Sequence, residues 1–170
     1  MYGPSRIICI PIEESAGSRE AIDWTLTNIA NPADTLILLN VRDNLLQNAF
    51  GLAYGVGPAF YYSQSDREDD IYELGNREYS YSLLRKQIAY IKNRGFDAYG
   101  VALQGEIKTE LLWKINKIAP EMVIVNHQIR NGIDKVSHES IAVYLAKNLR
   151  FPVVVTGSKN NDYDNWHLKS

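Results

Sequence analysis

The sequence predicts a single α/β domain built on a doubly wound, five-stranded parallel sheet. Three observations predict it. Short apolar runs rich in Ile and Val ("RIICIPI", "TLILLNV", "EMVIV" and "FPVVVTG") read as strands buried on both faces. Between them, apolar residues recur at helical spacing. Strand and helix signals then alternate almost strictly, as they do in successive βαβ units.

Ile7 to Ile12 forms the first expected strand, continuous and β-branched. After "EESAG", Ser18 is expected to cap a helix whose Ile22, Leu26 and Ile29 fall at i, i+4 and i+7, with Pro32 as its stop. Thr35 to Val41 is the second strand, set parallel to the first by a right-handed crossover. From Asp43 to about Asp70 the periodicity dissolves, and aromatic residues cluster beside glycines and Pro58. Helical spacing returns with Tyr81, Leu84, Ile88 and Ile91, and Gly95 is placed to end that helix in a left-handed conformation.

"DAYGVALQG" is the third strand, and Leu111, Ile115 and Ile118 mark a helix ending at Pro120. "EMVIV" is the fourth strand, Ile141, Leu145 and Leu149 mark the last helix, and "FPVVVTG" is the fifth strand. The whole chain, 1–170, is read as one domain with a core over about 5–157, a variable loop over about 43–70 and a tail over about 158–170.

At 170 residues and 45% hydrophobic, the chain can bury a core without disulfides or a structural metal. Its 18 basic and 20 acidic residues give a net charge of -2 with no long run of one sign, which points to neither nucleic acid nor membrane as a partner. The lone Cys9 excludes an internal disulfide and is expected to pack as a small hydrophobe in a reducing compartment. No basic-then-apolar leader precedes it, and the expected location is cytoplasmic.

Sheets of this kind bind ligands beyond the carboxyl ends of their strands, where the winding reverses. That edge is formed here by Ile12 to Ser15 and by "NHQIRNGIDKVSHES", Asn126 to Ser140, a loop with one glycine, Gly132. Candidate crevice residues are Glu13, Val41, Asn126, Arg130, Lys135 and Ser140. His127 and His138 are separated by a spacing that matches no common zinc pattern, so no metal is expected. Glu13 and Glu14 are adjacent on an extended segment and point apart, which disfavours a catalytic pair. Neither a P-loop nor a dinucleotide fingerprint occurs, and these motifs give no support to an enzyme.

Several of these segments together resemble the universal stress protein family. "IPIEESAGSREAIDW" is similar to that family's opening strand and helix, and "GEIKTELL" to its glycine-plus-acid entry into the third helix. "MVIVNHQ" and "FPVVVTG" resemble its fourth and fifth strands, so that the likeness covers about residues 5–157. It implies a Rossmann-like sheet in the order 3-2-1-4-5 and a stress-response or regulatory role. It also implies a homodimer paired through the fifth strand, with Val153, Val154 and Val155 at the contact. The acid ending strand one, usually Asp in the family, is Glu13 here.

ATP-binding members of the family carry Gly-x2-Gly-x9-Gly-(Ser/Thr) after the fourth strand. Laid on this chain, the frame puts Asn126, Ile129 and Glu139 at the glycines and Ser140 at the hydroxyl. Asn126 is expected to tolerate a left-handed backbone, whereas the branched Ile129 is not. Glu139 is expected in the first turn of the last helix, with Ser137 among its capping residues. A carboxylate there opposes a phosphate by about 4 kcal/mol at roughly 4 Å and an effective dielectric near 20.

ATP is therefore disfavoured by Ile129 and Glu139, and no cofactor is expected. The rival expectation is a nucleotide switch or slow ATPase in which Arg130, Lys135 and Ser140 hold phosphates. A third is a protein partner bound at the tyrosine-rich segment from Phe50 to Tyr62.

Overall fold

The computed structural model describes residues 5–42, 67–127 and 140–157, the first ten residues of the second span by backbone alone. The described elements run β1 (Ile7–Pro11), α1 (Ala16–Asn28), β2 (Thr35–Arg42), α2 (Arg67–Lys92), β3 (Asp97–Gln104), α3 (Ile107–Ile118), β4 (Met122–Asn126), α4 (Ile141–Asn148) and β5 (Val153–Thr156). The five strands form one parallel sheet in the order β3-β2-β1-β4-β5.

The apolar strands are covered on both sides because alternate residues feed two separate cores. Ile8 and Ile10 of β1, Leu36 and Leu38 of β2 and Ile124 of β4 pack with Ala21 and Ile22 of α1 and Leu83, Leu84 and Ile91 of α2. Cys9, Leu39, Val123 and Val125 face the other way, against Leu111 and Ile115 of α3 and Ile141, Ala142 and Leu145 of α4. One helix pair thus covers each face, which is the doubly wound arrangement.

Several expectations are corrected in detail. Ser15, not Ser18, caps α1: its hydroxyl accepts from the Ser18 N–H at 3.1 Å. Ser18 lies inside the first turn, where its own hydroxyl accepts from the Glu13 N–H at 2.9 Å. Helix α1 ends at Asn28, ahead of Pro32, with the Ile29 N–H still donating to the Thr25 carbonyl.

Helix α2 begins at Arg67, inside the stretch expected to be irregular. Tyr81 is 43% exposed, because the row descending from Ile91 passes through Gln87 and Leu84 to Ser80, about 100° around the helix from Tyr81. Gly95 does take the left-handed conformation, at φ 85°, just beyond α2. The 43–66 segment, including the tyrosine-rich stretch, and the tail from 158 lie outside the described residues.

Strand β5 is a sheet edge. Val153 and Val154 are partly buried against the two cores, and Val155 is 50% exposed. No helix among the described residues is long and apolar enough to cross a membrane.

Candidate functional site

The site is built where the strands end. The Ile12 N–H donates to the Leu39 carbonyl at 2.8 Å, which extends the β1–β2 pairing one residue past β1. Glu13 follows, and α1 opens two residues later at its Ser15 cap. Pro11, Ile12 and Glu13, with Leu39 and Val41 of β2 and Ile107 and Leu111 of α3, line a cavity of about 50 Å³. Glu13 and Val41, named from sequence, therefore meet around one space. It holds water-sized groups and has a single carboxylate in an otherwise apolar wall. Glu14 turns away, exposed, and accepts from the Tyr79 hydroxyl of α2.

Beneath the rim lies a polar chain that sequence reasoning missed. Asn40 donates through Nδ2 to the Ile12 carbonyl at 2.8 Å, and its Oδ1 accepts from the Ser80 hydroxyl at 2.6 Å. Both side chains are buried. A signal was present, since Asn40 is the one polar residue inside "LILLNV" and a buried amide requires partners.

Asn126 ends β4 and is fully buried. Its backbone is not left-handed, because Ala119 is the one non-glycine with positive φ among the described residues. Asn126 thus departs from the expected stand-in for glycine and acts through its side chain. Nδ2 donates to Thr156 Oγ1 at 3.4 Å, while Oδ1 packs on Gly17 in the first turn of α1.

Ser140 is the cap of α4, its hydroxyl accepting from the Val143 N–H at 3.3 Å. The helix therefore starts at Ile141, where the periodicity places it, and not as early as the family frame implies. Ser137 and Glu139, which lie outside the described residues, precede that cap in sequence, so the expected first-turn place of Glu139 is not met. Ile129, Arg130, Lys135 and His138 lie outside the described residues. His127 is exposed, and its ring Nδ1 lies 3.3 Å from the Thr156 carbonyl.

Helix α3 also opens at this edge. The Glu106 carboxylate caps it, accepting from the Lys108 N–H at 3.1 Å and the Thr109 N–H at 2.7 Å. Burial pushes this carboxyl up, but the Thr109 and Lys108 hydrogen bonds outweigh it and hold the group below its usual range. The α3 N-terminus is thus already met by an anion of the chain itself.

A parallel sheet in this order, its winding reversing between β1 and β4, defines a doubly wound α/β protein. The sequence matches the family model described as the Universal stress protein family over residues 4–157, and the chain belongs to that family.

Among solved structures, it is similar to a hypothetical protein whose biochemical function was assigned from its structure. That match has a TM-score of 0.66 at 17% identity and covers 91% of this chain and 97% of that one. A universal stress family protein from Arabidopsis thaliana with AMP bound matches with a TM-score of 0.60 at 14% identity, covering 94% of this chain and 95% of that one. A universal stress protein in complex with cAMP matches with a TM-score of 0.59 at 12% identity, covering 92% and 100% respectively. At such identities the likeness speaks for the fold. A search of the curated proteins gave no significant match.

Proposed function

We propose that this chain is a stress-response regulatory protein of the cytoplasm that works as a homodimer and does not hold ATP in its family's usual way. One observation carries the ligand part of this reading. Three of the four helices that open at the carboxyl end of the sheet have a carboxylate at or next to their start in sequence: Glu13 ahead of α1, Glu106 on α3 and Glu139 ahead of the α4 cap. A carboxylate at these positions opposes an incoming polyphosphate, and Ile129 adds a branched side chain to the loop after β4.

The dimer reading is supported by β5, which no further strand pairs among the described residues and on which Val155 is exposed; Val143 of α4 is 45% exposed. Pairing β5 with its copy, through Val153, Val154 and Val155, satisfies the edge N–H and C=O groups and covers apolar surface.

Titration of the purified protein with ATP-Mg, followed by calorimetry, tests the first part. No saturable heat is expected, and a micromolar response overturns it. Sedimentation tests the second, with Val155→Lys as the variant, because Val154 packs inward and its replacement would injure the fold. A monomeric wild type, or a Val155→Lys dimer, overturns it.

The second reading, a nucleotide switch using Arg130, Lys135 and Ser140, draws support from the AMP and cAMP held by similar folds. It is the outcome that a positive titration selects. A partner at the tyrosine-rich segment stands as a separate proposal, tested by deleting residues 49–62 and measuring partner capture.

A further inference from the structure

The two faces of the sheet differ in charge. Helices α1 and α2, on one face, carry basic and acidic residues in near balance, whereas α3 and α4, on the other, carry Lys108, Lys114, Lys117 and Lys147 against a single acid, Glu110. No acidic residue occurs from Ile141 to Gly157. The net charge of -2 conceals this asymmetry because it averages over the whole chain.

Trp113 stands on the outermost line of α3, about 200° around the helix from the buried Leu111, and is 54% exposed. The Lys117 and Lys114 ammonium groups lie 5.0 Å and 5.8 Å from its ring centroid. On the side toward α4, the Lys108 ammonium lies 5.3 Å from the Tyr144 ring. The two carboxylates of this region are drawn to the start of α3. Glu106 caps the helix, and Glu110 folds back until its Oε1 would lie 3.0 Å from a Cβ on Gly105.

We propose that the outer face of α3 and α4 docks on an anionic lipid surface. The core stripe of α3 is supplied by Leu111 and Ile115, so the fold itself does not call for an indole on the opposite side. A headgroup layer accepts the apolar body of a tryptophan with its N–H at the wet side, and sets anionic groups at the depth of the flanking ammonium groups. Lysine stems lie along apolar surface while their charges stay in water. The face is made by the outward sides of two neighbouring helices, a shape that meets a broad surface. A nucleic acid also attracts lysines, but it stacks its bases on open aromatic rings, and here lysine ammonium groups lie over the Trp113 ring.

The test uses the full chain and two vesicle probes, phosphatidylcholine alone and phosphatidylcholine mixed with phosphatidylserine, with co-sedimentation as the readout. Wild type is expected to sediment with the mixed vesicles and not with phosphatidylcholine alone, and to be released as salt is raised. Trp113→Ala, and separately Lys114→Glu/Lys117→Glu, are each expected to weaken binding by about tenfold or more. Both are expected to keep the wild-type melting temperature, since none of the three residues is buried. Lys117→Glu alone serves if the double variant does not fold. Lys86→Glu, exposed on α2, is the control and is expected to bind as wild type does.

Wild type that stays in solution with the mixed vesicles overturns the proposal. So does equal binding to the two kinds of vesicle, or equal binding by wild type and the Trp113 and lysine variants. A loss in Lys86→Glu as large as that in Lys117→Glu marks a general attraction of the chain and overturns the assignment to this face. Binding of a single-stranded RNA oligonucleotide without binding of vesicles assigns the face to nucleic acid and overturns the proposal as well.

Discussion

The Ser80 hydroxyl of α2 donates to Asn40 Oδ1 at 2.6 Å, while Asn40 donates to the Ile12 carbonyl at 2.8 Å. This buried chain joins α2 through β2 to the rim of the crevice. Asn40→Leu leaves the Ser80 hydroxyl and the Ile12 carbonyl without these partners. It is expected to cost about 2 kcal/mol. The urea midpoint measures this, and the double variant Asn40→Leu/Ser80→Ala is expected to lose less than the sum of the two single variants.

Asp34 fastens the opposite end of β1 to the turn before β2. It pairs with Arg6 Nη2 at 2.6 Å and Nε at 3.1 Å, and accepts from the Asn31 N–H at 2.9 Å. Burial pushes its carboxyl up, but the hydrogen bonds from Arg6 and Asn31, with the Arg6 charge, hold it below its ordinary value. A depressed folded-state pKa adds stability that is present above the unfolded value, about 3.9, and is lost as pH falls through the folded one. Asp34→Asn is therefore expected to be less stable than wild type at pH 7 by about 3 kcal/mol, with a gap that narrows on acidification below about pH 4. Urea unfolding across that range checks the sign; a gap that widens in acid contradicts it.

Ala119 closes α3 in the left-handed conformation, at φ 53° and ψ 60°, with its N–H donating to the Ile115 carbonyl. A Cβ is disfavoured there by roughly 1 kcal/mol relative to glycine. Ala119→Gly is expected to raise stability by about that amount, read as a higher melting temperature.

Cys9 is fully buried, and burial, with a further contribution from Glu121, pushes its thiol up to about 12. Since the thiolate is the reactive form, the native protein is expected to resist a thiol reagent at pH 8. One thiol per chain should react once the protein is unfolded. Rapid labelling of native protein would contradict this burial.

Much of the fold was legible because its signals are local. Continuous apolar runs mark strands covered on both faces, and the 3.6-residue recurrence in α3 and α4 marks their buried stripes. In α2 the same method misplaced Tyr81 on the core face, because the residue that belongs there, Ser80, is polar and is buried only through Asn40, 40 positions away in sequence. Helix starts were misjudged for a related reason. Four serines stand near the openings of α1 and α4 in positions that could cap, and only backbone geometry selects Ser15 and Ser140 over Ser18 and Ser137.

By itself the sequence determined the alternation of elements, the parallel sheet and the family, since each follows from residue type and spacing along the chain. The tertiary structure decided which groups meet at the carboxyl end. It placed Glu13 beside Val41, gave Asn126 a side-chain role in place of a backbone one, and set Gly17 against it. Those contacts join residues far apart in the chain, and their distances follow from how the strands stack and how closely α1 lies on β4.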